Sequence, residues 1–184
     1  MSDTVVEEDT PKLAPPEEPT PFDLLDVRVG KIVEAWEHPD SEKLWVERID
    51  VGEAEPRQIA SGLRAYYATK EDIEGRSVVV VCNLKAAKLG GVASNGMVLC
   101  ASNEDKSAVA FVEPPAAAAP GDRVLIEGVG ATPPATGNQM KKKKWMEKAA
   151  EGLRTVDGVA CFEGTPIVVV GGPCTSPIAA GTIS

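Results

Sequence analysis

The sequence predicts an all-β fold, a small barrel or sandwich, and two observations carry that expectation. From Phe22 onward seven short apolar runs follow one another: Val27–Trp36, Leu44–Val51, Gln58–Ala60, Val78–Cys82, Met97–Ala101, Val109–Val112 and Val124–Ile126. Between them stand Gly, Pro and Asp, residues that turn a chain, which is the texture of many short strands joined closely.

In the first run the apolar residues change phase. Val27 and Val29 occupy odd positions and Ile32 an even one, with Gly30 at the change. A glycine there predicts a bulge that bends one long strand around a barrel corner. Thr69–Ile73 opens on a threonine and places acids in its first turn, which predicts a short helix between the third and fourth strands. Pro114–Pro120 reads as a connector and Gly128–Gly137 as a loop rich in Gly and Pro. Asn138–Leu153 predicts a helix capped by Asn138 and ending near Gly152, with a partial apolar stripe of Met140, Trp145, Met146 and Ala149. Val159–Phe162 and Ile167–Val170 predict two further strands that complete a small β-rich C-terminal extension. Residues 1–21 are rich in Pro and Glu and poor in large apolar side chains, so they are expected to form a disordered acidic tail. The expected organisation is a tail over 1–21, a first domain over 22–127 and an extension over 128–184.

The bulk chemistry excludes several classes. There is no G-x-S-x-G elbow, no P-loop and no G-x-G-x-x-G after a strand. The single histidine lies in His38-Pro39-Asp40, which reads as a capped turn between the first two strands and not as a catalytic group. No catalytic residue, metal or cofactor is expected. The four cysteines, Cys82, Cys100, Cys161 and Cys174, are far apart and lack the paired spacing of a zinc site, so they are read as reduced. No apolar run is long enough for a membrane helix, and the N-terminus lacks the pattern of a secretory signal, so a cytoplasmic location is expected. The net charge of −9 runs against phosphate binding, but residues 1–21 carry −5 of it and the remainder only −4. A mildly acidic domain still binds RNA if its cations cluster on one face.

The stretch Asp26–Ile49 (DVRVGKIVEAWEHPDSEKLWVERI) is followed in order by EPRQIASGL at 55–63, AYY at 65–67, VVVVCNLKAAKL at 78–89 and GVASNGM at 91–97. This series resembles the tRNA-binding domain family, and Pro-Gly-Asp-Arg at 120–123 with Lys-Lys-Lys-Lys-Trp at 141–145 is similar to its endothelial-monocyte-activating polypeptide II type. The resemblance spans all but the tail. It implies an OB-fold barrel that holds tRNA by shape and phosphate backbone, acting without catalysis beside aminoacyl-tRNA synthetases. It also implies a monomer, because bacterial members pair two OB-folds whereas the extension stands in for the partner. The alternatives are a scaffold of a multi-synthetase complex and a cytokine-like extracellular polypeptide. The second reading attaches to the heptapeptide at Arg28–Glu34, where Glu34 departs from the family.

The candidate tRNA-binding cations are Arg28, Lys31, Lys43, Arg64, Lys85 and Lys88, each placed to neutralise a phosphate. Ser94, Asn95 and Met97 stand at the family's S-x-G-M signature, where hydroxyl and amide could meet backbone or ribose. Gly90 occupies a position that often carries Arg or a large residue in the family, and Ala93 likewise offers no charge. Lys141–Lys144 is the densest positive run, readable either as a phosphate cluster or as a solvated helix face. Trp36, Trp45 and Tyr66 are the few aromatics available for base stacking, and both tryptophans read equally as core.

Overall fold

The computed structural model describes residues 13–184. The part of the expected disordered tail in residues 1–12 lies outside the described residues. At 13–21 the chain is tied down, since Gly130 N–H donates to the Ala14 carbonyl and Thr20 bonds the Asp23 carboxylate.

Five strands make a nearly closed barrel. They are Val27–Glu37 (β1), Trp45–Asp50 (β2), Arg57–Ser61 (β3), Ser77–Val81 (β4) and, after a small hairpin of Ala87–Leu89 (β5) and Val92–Ser94 (β6), Met97–Val98 (β7). Their order is β3-β2-β1-β4-β7, all antiparallel, and β7 returns beside β3. The expected short helix between β3 and β4 is a 3-10 turn at Lys70–Asp72, capped by a reciprocal Thr69–Asp72 box.

The chain continues through Cys100–Ser102 (β8), Val109–Phe111 (β9) and Leu125–Ile126 (β10) to two short helices, Gly137–Lys143 (α1) and Trp145–Ala150 (α2). Leu153–Val156 (β11), Val159–Phe162 (β12), Thr165–Val169 (β13), Gly172–Pro173 (β14) and Gly181–Ile183 (β15) follow. A second sheet runs β10-β13-β12-β11-β15-β8-β9, with β14 on β13. Residues after 128 are therefore joined to the preceding segment by the β15–β8 and β10–β13 pairings.

Two cores explain the sequence pattern. Ile32, Ala35, Trp45, Ile49, Ile59, Val78 and Val80 fill the barrel. Val27, Val29, Val79, Val81, Leu99 and Ala101 join Phe162, Ile167 and Ile183 in a second core beneath the extension. Residues 78–81 are continuously apolar because alternate side chains enter different cores, as expected of a strand buried on both faces. Each fully buried valine contributes roughly 1.5–3 kcal/mol of transfer free energy.

The same geometry corrects the reading of Gly30. No bulge lies there: the register of β1 against β2 slips between Ile32 and Glu34, at Val33. The phase change at Gly30 marks the handover from the second core to the barrel interior. A Cβ on Gly30 would sit 2.7 Å from Ile49 Cγ2, so the glycine is required by close packing.

The expected Asn138–Leu153 helix is also corrected. Lys144 adopts a left-handed conformation, φ 53 and ψ 45, and divides α1 from α2. The cap is Thr136, boxed with Gln139, and Leu153 already begins a strand. Further strands escaped the sequence pattern: β11 follows directly on the expected helix, and β5, β6, β14 and β15 are too short or too polar to give a periodic signal.

Candidate nucleic-acid interface

The elements that frame the interface are the β1–β2 loop, the β5–β6 hairpin and α1. His38 locks the first two together. Its Nδ1 accepts from Asp40 N–H at 3.0 Å, so the ring proton lies on Nε2, which donates to the Leu89 carbonyl at 3.1 Å. The turn reading of His38-Pro39-Asp40 holds, and the ring is 3% exposed. The hairpin closes through Gly90 and Gly91, φ 58 and 83, a two-residue connection with both residues left-handed. A Cβ on Gly90 would meet His38 Nε2 at 2.9 Å. The larger residue common in the family has no room here.

The other end of the hairpin is fixed by Asn83, whose role the sequence did not signal beyond its place in NLKAAKL. Its Oδ1 accepts from Asp26 N–H at 2.9 Å, and its amide donates to the carbonyls of Leu24 and Ala135 at 2.9 and 3.0 Å. This staple draws the approach to α1 against the start of the hairpin, so that a Cβ on Gly137 would be 3.5 Å from Lys85 Cα. Arg57, also outside the predicted set, donates to the Cys82 and Asn95 carbonyls at 2.6 and 3.3 Å and pairs with Glu53. It ties both ends of the hairpin segment to β3.

The predicted cations do not form one set. Lys43 and Arg64 come together at the β1–β2 loop: Arg64 N–H donates to the Lys43 carbonyl, and its Nη1 to the Ser41 carbonyl at 3.0 Å. Arg64 also lies 5.6 Å above the Trp45 ring and pairs with Glu37. Lys88 is exposed on the hairpin beside this loop, and Lys85 is exposed at its base next to Lys141. Lys43, Lys85, Lys88 and Lys141–Lys144 have no carboxylate within salt-bridge distance among the described residues.

Arg28 and Lys31 lie elsewhere. Arg28 grips both oxygens of Asp26 at 2.9 and 2.7 Å with Glu53 at 3.8 Å, and the hydrogen bond to Asp26 raises its pKa. Its side chain holds the strand start and is not a free phosphate clamp. Lys31 pairs in register with Ser77 and Asp50, at the start of β4, while Lys85 follows the end of β4. The two ends of β4 are roughly 13 Å apart at about 3.3 Å per residue.

Ser94 is buried, and its hydroxyl is engaged: it accepts from Ala60 N–H at 3.0 Å and donates to the Gly96 carbonyl. It braces the hairpin on β3. The Asn95 side chain is exposed, whereas its backbone N–H donates to Gln58 at 2.8 Å. Met97 is half-buried against the second core. Trp45 is core, with its Nε1 donating to the Tyr67 carbonyl at 2.9 Å, while Trp36 is half-buried beneath Arg48. Tyr66 donates its hydroxyl to the Lys106 carbonyl.

All four cysteines are free and buried, and burial raises the thiols of Cys82, Cys100 and Cys174 to about 11, 12 and 12. Among the described residues no group of three His, Cys, Asp or Glu is arranged to hold a metal. Among the described residues no helix is long and apolar enough to cross a membrane. One carboxylate is misplaced for any surface role. Glu47 points into the barrel, 0% exposed, with Oε1 accepting from Ser61 and Oε2 unpartnered. Burial pushes it up to about 8, against the smaller pull of the Ser61 hydroxyl.

The barrel is of the OB type, and exposed lysines lie on the loop pair at one side of it. The sequence profile described as "Putative tRNA binding domain" matches residues 27–123. The chain belongs to this tRNA-binding domain family. It is 45% identical over 161 residues to the cytoplasmic methionine–tRNA ligase of Arabidopsis thaliana, covering 86% of this chain and 20% of that protein. It is 42% identical over 147 residues to aminoacyl tRNA synthase complex-interacting multifunctional protein 1 of Mus musculus, covering 80% and 46%. The crystal structure of the C-terminal domain of Plasmodium vivax p43 superposes with a TM-score of 0.78 at 31% identity, covering 89% of this chain and 98% of that one. The chain thus spans between a fifth and just under half the length of these two curated relatives.

Proposed function

We propose that this chain binds tRNA without catalysis, as an accessory factor for aminoacyl-tRNA synthetases, reading shape and phosphate backbone. One observation carries the reading: Lys43, Lys88, Lys85 and Lys141 follow one another along a rim built from the β1–β2 loop, the hairpin and α1. Phosphates spaced along an RNA backbone need such a track, and surface cations without carboxylate partners supply it at little cost to the fold. The relatives that are tRNA ligases, and the one named as interacting with a synthase complex, support the setting and a cytoplasmic location. Those names belong to longer proteins, of which this chain covers a fifth and just under half.

The covered apolar face supports a monomer. Val27, Val29, Val79 and Val81 are sealed by the extension, which leaves that face of the barrel nothing to offer a second copy. Fluorescence anisotropy with bulk tRNA at about 50 mM salt tests the binding reading. Micromolar or tighter binding, similar for several purified tRNAs, is expected. No binding under those conditions sinks it, and the scaffold reading then takes its place.

A further inference from the structure

Between the base of the hairpin and the two short helices lies a cleft of about 300 Å³. Its walls are Leu84, Ala86, Ala87, Met140 and Met146. Three charged groups stand on it: Lys85 and Lys141, both exposed lysines, and Glu147. The break at Lys144 creates this arrangement. On one continuous helix Met140 and Met146 would point about 120° apart, at about 100° per residue. The left-handed residue between α1 and α2 reorients the second segment, so both methionines line the same cleft.

An apolar slot flanked by two cations fits a flat aromatic group that carries anionic neighbours. We propose that the cleft receives one unstacked base of the bound RNA, a guanine, with the adjoining phosphates at Lys85 and Lys141. This rests on the tRNA-binding reading above and adds to it a base-contacting site. Single-stranded bases are splayed out and held on side-chain surfaces in RNA recognition, and methionine sulfur makes favourable contacts with aromatic rings. The slot thus supplies what a chain with 4% aromatic residues otherwise lacks. The choice of base follows from Glu147. Guanine carries two adjacent N–H donors on its pairing edge, N1–H and the 2-amino group, and a carboxylate has two acceptor oxygens to meet them. Uracil and adenine each present an acceptor there that would face the carboxylate.

The test uses the full chain and four variants, with bulk tRNA and two RNA hexamers as probes. Ala86→Leu fills the cleft from an exposed position, and Ala87→Leu does the same if the first variant melts early. Loss of a base contact is expected to lower tRNA affinity about tenfold, within the range for removing one stacked base. The salt slope is expected to stay unchanged, because no phosphate contact is removed. Lys85→Ala is expected to reduce the slope by about 0.7–0.9. UUGUUU is expected to bind more tightly than UUAUUU, and Glu147→Gln to abolish the difference. Unchanged tRNA affinity in the filled variants overturns the proposal, as does a slope that falls with them, which would make the cleft a phosphate track. Equal binding of the two hexamers overturns the guanine assignment. If the unaltered protein binds no tRNA at low salt, the underlying reading fails first, so the two failures are distinguishable.

Discussion

Replacing Glu47 by Gln should remove most of the fall in stability between pH 6 and pH 8. The carboxyl sits inside the barrel, and burial raises it from an ordinary 4.5 to about 8. In the unfolded chain the same group releases its proton near its ordinary value. Between those values the folded state holds a proton that the unfolded state lacks, so unfolding releases it. Stability from this group is therefore fully present below about 4.5, falls as pH rises, and levels off above about 8.

From pH 6 to pH 8 the folded carboxyl goes from almost wholly protonated to about half ionised, while the unfolded one stays ionised. At about 1.4 kcal/mol per unit, the loss is roughly 2 kcal/mol. For a chain of this size that corresponds to a Tm lower by about 4–8 °C. Unfolded thiols, with an ordinary value of 9.0, are only slightly ionised by pH 8 and the buried ones less, and both proteins carry the same four. Thermal melts of both proteins at pH 6 and pH 8, at constant ionic strength, make the comparison. Other titrating groups cancel in the difference. Identical pH dependence in the two proteins would refute the argument, because Glu47 would then be ionised in the folded barrel or its burial transient.

Lys85→Glu combined with Lys88→Glu should weaken every tRNA by similar factors and leave the melting temperature unchanged, measured by anisotropy and circular dichroism. With three to five phosphates engaged, the log–log salt slope of the unaltered protein should be on the order of −3 to −4. Replacing Lys141–Lys144 by Ala should flatten that slope as well, since Lys141 shares the rim with Lys85. Gly90→Arg should not gain a phosphate contact: its left-handed backbone and the His38 ring at 2.9 Å from a Cβ predict a cost of about 1–3 kcal/mol, read as a lower Tm. Sedimentation at micromolar concentration should give the mass of one chain, and a stable dimer would show that the extension does not replace a partner.

The local sequence determined where most strands of the barrel lie. Val27, Leu44, Val78 and Met97 open apolar runs between turn residues, and each run became a strand of the barrel or led into one. The capped turns at His38 and Thr69 were legible for the same reason, since their hydrogen bonds span only two or three residues. The ordered motifs also carried the family and the fold. Tertiary structure decided what depends on contacts between distant segments. Gly30 looked like a bulge because the sequence cannot tell two opposed cores from one bent strand. Arg28 and Lys85 both stood among the candidates, the second favoured by its motif, and only the fold set Asp26 and Glu53 around the first while leaving the second open. The run Lys141–Lys144 joined the candidate interface through Asn83, more than fifty residues away, whose amide reaches Ala135. Its helix broke at Lys144 through a single left-handed residue that helix propensity does not predict. A periodic pattern reports which residues avoid water. Which exposed cations become neighbours is set by the path of the backbone, and no local preference encodes it.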